Sequence, residues 1–554
     1  MIIGKEGCVI QNTEVKTAEN EEAYLEIENK SVLEAENSSP RNNKEGALAT
    51  MVLTESEDEV MKTEQQKWQN PNYFKYPWQE YLFIFTCMIS QLLNQSGTTQ
   101  TLSIMNILAD SFGSDTTSRS WLMASFPLVS GSFILISGRL GDIYGLKNML
   151  LIGYAMIIIW SLICGLTKYS GSDTFFIISR AFQGLGIAFI LPNVLGIIGN
   201  IYIGGTFRKN IVISFIGAMA PIGATLGCFF AGLIGTMNPN QWPWAFYAYT
   251  ITAAINLALS IYAIPNNIPT NIHRFSMDWI GSILGVIGLI LLNFVWNQAP
   301  ISGWNQAYII VLLIISVLFL VVFGVYEIHF AKSPLLPQAI MKDRHMIQIM
   351  LSLFFGWGSF GIFTFYYFQF QLNIRHYTAL WAGGSYFMFL IWGIVAALLV
   401  GFSIKRVSPS VFLFFAMVAF NVGSIMASVT PVHESYFRTQ MGTMIVLSFG
   451  MDLSFPASSI IFSDYLPMEY QGMAGSLVNT VVNYSMSLCL GMGATVEMQL
   501  DPDGKHILKG YRGAQYLGIG LATLACIISG LYMVESFIKD HRTKAVAKDN
   551  CGMS

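Results

Sequence analysis

Gly138-Arg139-Leu140-Gly141-Asp142-Ile143-Tyr144-Gly145-Leu146-Lys147 is a charged, glycine-rich stretch set between two long apolar ones. Trp121 to Ser137 before it and Met149 to Leu166 after it each approach the roughly 20 residues that carry a helix across a bilayer. Two such runs joined by so short a turn must fold back on one another as a helical hairpin. The glycines let the backbones turn and approach without a Cβ clash. Asp142 and Lys147 stand where charge is either solvated or meets the end of another helix. The stretch reads as a cytoplasmic hinge, or more plainly as a hairpin loop with a useful charge bias.

Composition sets the class. With 53% hydrophobic and 11% charged residues over 554 positions, the chain is too apolar for a soluble core and falls among polytopic membrane proteins. The formal charge of -3 hides a division, because the first 75 residues hold 15 acidic and 8 basic side chains. That segment lacks apolar periodicity and is expected to be a disordered acidic cytoplasmic tail over residues 1–78. No charged start, apolar core and small-residue cleavage site follow one another, so the first span is expected to serve as the targeting signal. Cys87, Cys164, Cys228, Cys489 and Cys526 lie in apolar spans and Cys8 and Cys551 in the tails, with neither metal spacing nor a disulfide pattern.

Apolar runs begin near Tyr81, Trp121, Met149, Thr174, Ile211, Trp244, Trp279, Tyr308, Met346, Leu380, Val411, Met441, Met473 and Gln515, which predicts about fourteen spanning helices in an all-α polytopic fold. An even number puts both termini on one side. With both inside, the inner loops and C-tail hold 14 Lys and Arg and the outer loops 7, as the positive-inside rule requires. The expected organisation is a bundle of six helices over 79–266, two inserted helices and a linker over 267–345, a second bundle over 346–538 and a C-tail over 539–554. One cation stays inside a span, Arg180, within Arg180-Ala181-Phe182-Gln183-Gly184-Leu185-Gly186. It must face protein or a wet cavity, or snorkel to the interface from near a helix end.

The pattern G-x-L-x-D-x-x-G-x-K, carried here by Gly138, Leu140, Asp142, Gly145 and Lys147, resembles the signature of the major facilitator superfamily between its second and third spans. Ile143 and Leu146 stand where that signature is usually basic. Gly401-Phe402-Ser403-Ile404-Lys405-Arg406 looks like a decayed copy, consistent with two related six-span halves and a 6+2+6 layout. Arg180, Gln183, Gly184 and Gly186 form R-x-x-Q-G-x-G, similar to the fourth-span motif of that family's proton-coupled antiporters. In the fifth span Pro221 precedes a small-residue stripe of Gly223, Gly227, Ala231 and Gly235, suited to close helix packing and partly matching the Gly-Pro signature of drug antiporters.

Over roughly Tyr81 to Phe537 the chain resembles the fourteen-span drug:proton antiporters of fungi. Trp242-Pro243-Trp244-Ala245-Phe246-Tyr247, Asp278-Trp279-Ile280-Gly281 and Gln471-Gly472-Met473-Ala474-Gly475-Ser476 resemble a small group of exporters linked to aminotriazole and boron tolerance. The resemblance implies a monomeric exporter of small solutes across the plasma membrane, or the vacuolar membrane. Its driving force would be the proton gradient rather than a cofactor, and its partners solute, protons and lipid, without nucleic acid. A siderophore-type importer shares the layout, and a sensor signalling through the acidic tail is a further alternative. No nucleotide loop, metal spacing or nucleophile set indicates an enzyme.

Candidate transport residues follow from burial of polar groups. Asp452 lies about eleven residues into the twelfth span, four before Pro456, at a depth where a carboxyl either exchanges protons or is permanently hydrogen-bonded; with Arg180 it is expected to form the charge system that couples protonation to rocking of the two halves. Asp278, Glu327 and Glu535 fall at helix ends, where charge reaches the headgroups. The first span carries Gln91, Asn94 and Gln95 at membrane depth, lining a substrate cavity or joining helices. Asn94 stands where many relatives have aspartate. Tyr366 and Tyr367 in an aromatic cluster, and Asn479 and Asn483 at i, i+4 spacing, complete the candidate cavity for a small polar solute.

Overall fold

The computed structural model describes residues 73–113, 119–202, 206–266, 268, 277–331, 334–335, 343–403, 406–465 and 471–552. Most of the expected acidic tail, and the loop cations Arg274, Lys332, Lys342 and Lys405, lie outside the described residues. Residues Asn72–Ser536 make one compact unit, which contains every site residue discussed below. Among the described residues the regular structure is entirely helical.

Helix α1 (Pro77–Thr99) leads through the short α2 (Met105–Phe112) to α3 (Arg119–Tyr144). Then come α4 (Leu146–Leu166), α5 (Asp173–Ile201), α6 (Phe207–Met237) and α7 (Pro243–Ala263). The inserted pair is α8 (Trp279–Ser302) and α9 (Ala307–His329). The second half comprises α10 (Arg344–Gln369), α11 (Ala379–Gly384), α12 (Phe387–Ser403), α13 (Pro409–Val429), α14 (Thr439–Tyr465), α15 (Gln471–Leu500) and α16 (Ile507–Gly552).

Each apolar run predicted from sequence corresponds to a helix or, in the tenth, to the pair α11 and α12. Among the described residues, twelve helical segments are long and apolar enough to cross a membrane. The other two long helices, α1 with 23 residues and α15 with 30, are not among them, and both bury polar side chains. Helix starts are set locally. Ser172, Thr206, Asp278 and Asp343 cap α5, α6, α8 and α10 by accepting from backbone amides, satisfying donors a helix start leaves orphaned. At the C-terminus α16 continues unbroken to Gly552, so the tail expected from residue 539 begins as helix.

Packing groups the helices into two sets. In the first half α3 and α4 both pack on α5, α1 on α6, and α4 on α7. In the second, α13 and α12 pack on α14, and α10 on α15. The halves meet along two seams, α3 and α5 against α15, and α6 against α11, α12 and α14. The inserted α8 lies over the first seam, touching both α3 and α15, while α9 touches chiefly α8 and presents an exposed apolar surface, as suits lipid.

Candidate functional site: two seams and a buried charge

The Gly138 stretch forms less of a loop than its composition suggests. Helix continues through Tyr144, and only Gly145, at φ +105°, separates α3 from α4; a side chain there would be strained. Asp142 is 6% exposed and has Arg139 as its neighbouring opposite charge. It is therefore buried in the last turn of α3 rather than solvated. Lys147 meets a helix end: its Nζ donates to Ile261 O (2.9 Å), Ile264 O (2.6 Å) and Asn266 Oδ1 (2.6 Å). A cation on the last carbonyls of α7 complements the helix dipole and ties α4 to α7. A β-carbon at Gly141 would collide with Asn193 Oδ1 of α5.

Arg180 is 0% exposed, so it does not snorkel. Its guanidinium donates to Gln183 Oε1 (2.5 Å) and to Gly97 O of α1 (2.7 Å) and lies 4.7 Å from the Phe126 ring centroid of α3, within cation–π range. Gln183 in turn donates to Ser161 Oγ of α4 (2.8 Å). The motif glycines provide room: β-carbons at Gly184 and Gly186 would strike Phe126 O and the Gly153–Ile157 turn. The cluster locks four helices of the first half. No ion pair or hydrogen bond joins Arg180 to Asp452.

The fifth-span stripe explains itself as the α1–α6 contact. Gly223 faces Leu92 and Gly227 faces Ser96 and Thr99, too closely for a β-carbon, and Thr99 Oγ1 donates to Ala224 O across it (2.8 Å). Pro221 sits within an unbroken α6, and its ring lies on the second seam, where a β-carbon on Gly393 of α12 would come 2.5 Å from its Cβ.

Asp452 occupies that seam. It is 2% exposed, Gly393 approaches its Oδ2, and that oxygen has no hydrogen-bond partner. One turn on, Pro456 of α14 faces Gly217 of α6. The carboxyl thus lies between α14, α12 and α6, where the two halves touch, and no described cation balances it.

The candidate solute-binding residues separate into two places. Gln91 and Asn479 share the wall of a small central cavity of about 10 Å³ with Cys87, Ser90, Ile216 and Phe455, contributed by both halves. Tyr366 and Tyr367 line a second cavity of about 30 Å³ with Phe363, Gln440, Thr443 and Gln515, enclosed by second-half helices. Asn94 is 2% and Gln95 7% exposed, and neither lines either cavity; Asn94 Oδ1 is unpartnered. Asn479 and Asn483 do not pair side chain to side chain, because each donates to the carbonyl four residues earlier, Gly475 O and Asn479 O, both at 2.9 Å.

Among the other carboxylates, Glu535 meets Arg344 (2.8 Å), in keeping with a position at a helix end. Glu327 does not reach a headgroup: it is 1% exposed and its Oε1 accepts from Leu335 N (3.2 Å). Sequence reasoning missed Glu80, which accepts from Tyr202 (2.6 Å) and Arg208 (2.5 Å). It also missed Glu497, bonded to Tyr366 Oη (2.6 Å), and the pair Asn293 and Asn297. Both asparagines are 0% exposed on α8, with Ser487 of α15 bridging Asn293 Oδ1 (2.9 Å) and Ala124 O of α3 (3.1 Å). The signal for the asparagines was two amides at helical spacing in an apolar run; Glu497 fell beyond the expected end of its span.

Two packed helical halves, with seams lined by glycine and a small cavity between them, define a membrane transporter of the alternating-access kind. The chain belongs to the Major Facilitator Superfamily, whose profile matches residues 87–489. It is 83% identical over 530 residues to the aminotriazole resistance protein of Saccharomyces cerevisiae, covering 96% of this chain and 98% of that one. It is 40% identical to a low affinity ammonium transporter of the same yeast (84% and 90% covered) and 36% identical to an efflux pump of Aspergillus terreus (85% and 91%). A solved POT family transporter shares the fold at TM-score 0.62 and 14% identity, over 85% of this chain and 98% of that one.

Proposed function

We propose that the protein exports small nitrogen heterocycles of the aminotriazole type, with boric acid as a second solute, in exchange for protons. The observation that carries the reading is Asp452, an unpartnered carboxyl in the seam between the halves. As an ion in a dry seam it costs several kcal/mol without a partner; as the neutral acid it does not. Closing the α6–α12–α14 seam therefore favours the protonated side chain, and opening it to water favours ionisation. Rocking and proton transfer become one event. The choice of solute is supported by the 83% identity to a protein named for aminotriazole resistance.

In this reading α1 and α15 cross the bilayer with the twelve apolar helices, both termini are cytoplasmic, and the Gly145 turn lies inside. The protein acts as a monomer in the plasma membrane, the vacuolar membrane being the alternative. Gln91 and Asn479 contact solute in the central cavity, and the Arg180 cluster holds the first half rigid while it moves. Uptake of a small amine is a second reading, favoured by the relative named for ammonium transport.

The test is cellular accumulation of aminotriazole and of boric acid with and without expression of the chain, repeated after a protonophore. Lower accumulation that reverts on collapse of the gradient is expected. Raised accumulation would select uptake. Unchanged accumulation would leave the sensor reading, checked by deleting residues 1–70, which a carrier should tolerate.

A further inference from the structure

At the end of the helices away from the Gly145 turn, a cavity of about 590 Å³ opens between the halves, lined by Arg119, Ser120, Asn373, Glu497, Asp501 and Tyr511 among others. Its wall crosses from one half to the other through side-chain amides. Arg119 donates to Asn106 Oδ1 (3.1 Å), Asn106 to Asn373 Oδ1 (2.9 Å), and Asn373 to Gln369 Oε1 (2.6 Å) and Tyr511 Oη (2.9 Å). Two lining groups keep unused capacity. Glu497 Oε2 accepts from Tyr366, and its other oxygen meets no donor among the described residues, although a carboxylate accepts about four hydrogen bonds. Ser120 is 5% exposed and its hydroxyl has no partner among them, a state that buried polar groups avoid unless something else visits them.

Charge selects the visitor. Glu497, Asp501 and Asp503 face Arg119 and His376 in this cavity, so acceptors outnumber fixed cations and a molecule bringing donors is favoured over an anion. The central cavity holds no charged side chain. We infer that this vestibule is a second solute site, for a small molecule bearing N–H donors, in which Glu497 and Ser120 are the protein's contacts. The inference deepens the exporter reading and rests on its topology, by which the vestibule faces outward and receives solute leaving the central cavity. Because its wall is shared by both halves, occupancy holds them at one separation.

The experiment uses the full-length chain in cells with Ser120→Cys, labelled from outside by a membrane-impermeant thiol reagent, with the labelling of the native chain subtracted. Aminotriazole is the probe. It should slow labelling in a saturable way, and adding Glu497→Gln should raise the half-protecting concentration about tenfold or more, the size of one lost charge-assisted hydrogen bond. No protection, or equal protection with Glu497→Gln, would overturn the site. Tryptophan fluorescence titration of purified full-length chain, native against Glu497→Gln, measures the same loss of affinity without the added thiol. Export followed in cells expressing the native chain separates the two ideas: protection without native export keeps the site and ends the exporter reading, and native export without protection does the reverse.

Discussion

Arg180 and Asp452 are both buried and ionisable, and the protein treats them oppositely. Arg180 meets Gln183, a backbone carbonyl and an aromatic face, all within one half, and only its Nε is left without a partner. Asp452 lies where the two halves touch, and its Oδ2 has no partner. A buried charge whose partners all lie within one half, as those of Arg180 do although its Nε has none, gains little from movement between the halves and behaves as scaffold. An unsatisfied one changes its free energy whenever its surroundings open or close, and can therefore drive a cycle.

The largest effect expected of a single substitution separates these roles. Asp452→Asn should abolish gradient-driven export while leaving the unfolding temperature in detergent unchanged or raised, since a neutral amide replaces an uncompensated carboxyl of the same shape. Accumulation assays with and without a protonophore measure the first, and thermal unfolding the second. Intact, gradient-dependent export by this variant would falsify the role given to Asp452. Arg180→Ala should do the reverse, costing about 1–3 kcal/mol of stability for each buried partner it orphans, read as lost folded yield. Arg180→Lys should rescue little, because a point charge reproduces neither the fork nor the stacking.

Glycine packing offers a smaller contrast. A β-carbon at Gly184 meets the Phe126 backbone carbonyl inside the first half, and one at Gly393 meets Pro221 across the seam as well as Asp452 in its own half. Overpacking costs roughly 1–3 kcal/mol. For Gly184→Ala that should appear as lost stability with transport per folded molecule preserved. Gly393→Ala should instead slow transport, because the halves can relieve the clash by parting. Parallel measurements of unfolding temperature and transport per folded protein decide between equal and opposite behaviour.

Much of this was legible in the chain. Apolar runs located every long helix, because hydrocarbon imposes a length that sequence must obey. Asp452 and Arg180 stood out as lone charges in such runs. Their partners did not, since Gly97 O is a backbone carbonyl 83 residues from Arg180 and any residue could supply one. The cavity candidates were identified by type but not by place. Tyr366 and Asn479 fall in different cavities, a matter of helix rotation that periodicity alone leaves open. Glu327 looked terminal by position and is buried by its neighbours, and Glu497 was overlooked because α15 runs to Leu500, beyond the minimum length of a span.

A third carboxyl sharpens the comparison with the smallest effect. Asp343 caps α10, accepting from His345 N (2.7 Å), Met346 N (3.4 Å) and Tyr465 Oη (2.8 Å). Burial pushes its carboxyl up, but these hydrogen bonds and the neighbouring His345 outweigh burial and hold it below the ordinary carboxylate range. A carboxyl depressed in the folded state stabilises above its unfolded pKa of about 3.9, and that contribution is lost as pH falls through the lower folded value. The group is largely exposed, so the effect is small. Asp343→Asn, which retains a capping side chain, should flatten the acid side of the unfolding-temperature profile between about pH 5 and 2 and leave export at neutral pH unchanged. An unaltered acid profile would mean that the partnered carboxyl contributes nothing through its charge. Loss of export would mean that partnering does not separate scaffold from working groups, and the contrast between Arg180 and Asp452 would need another cause.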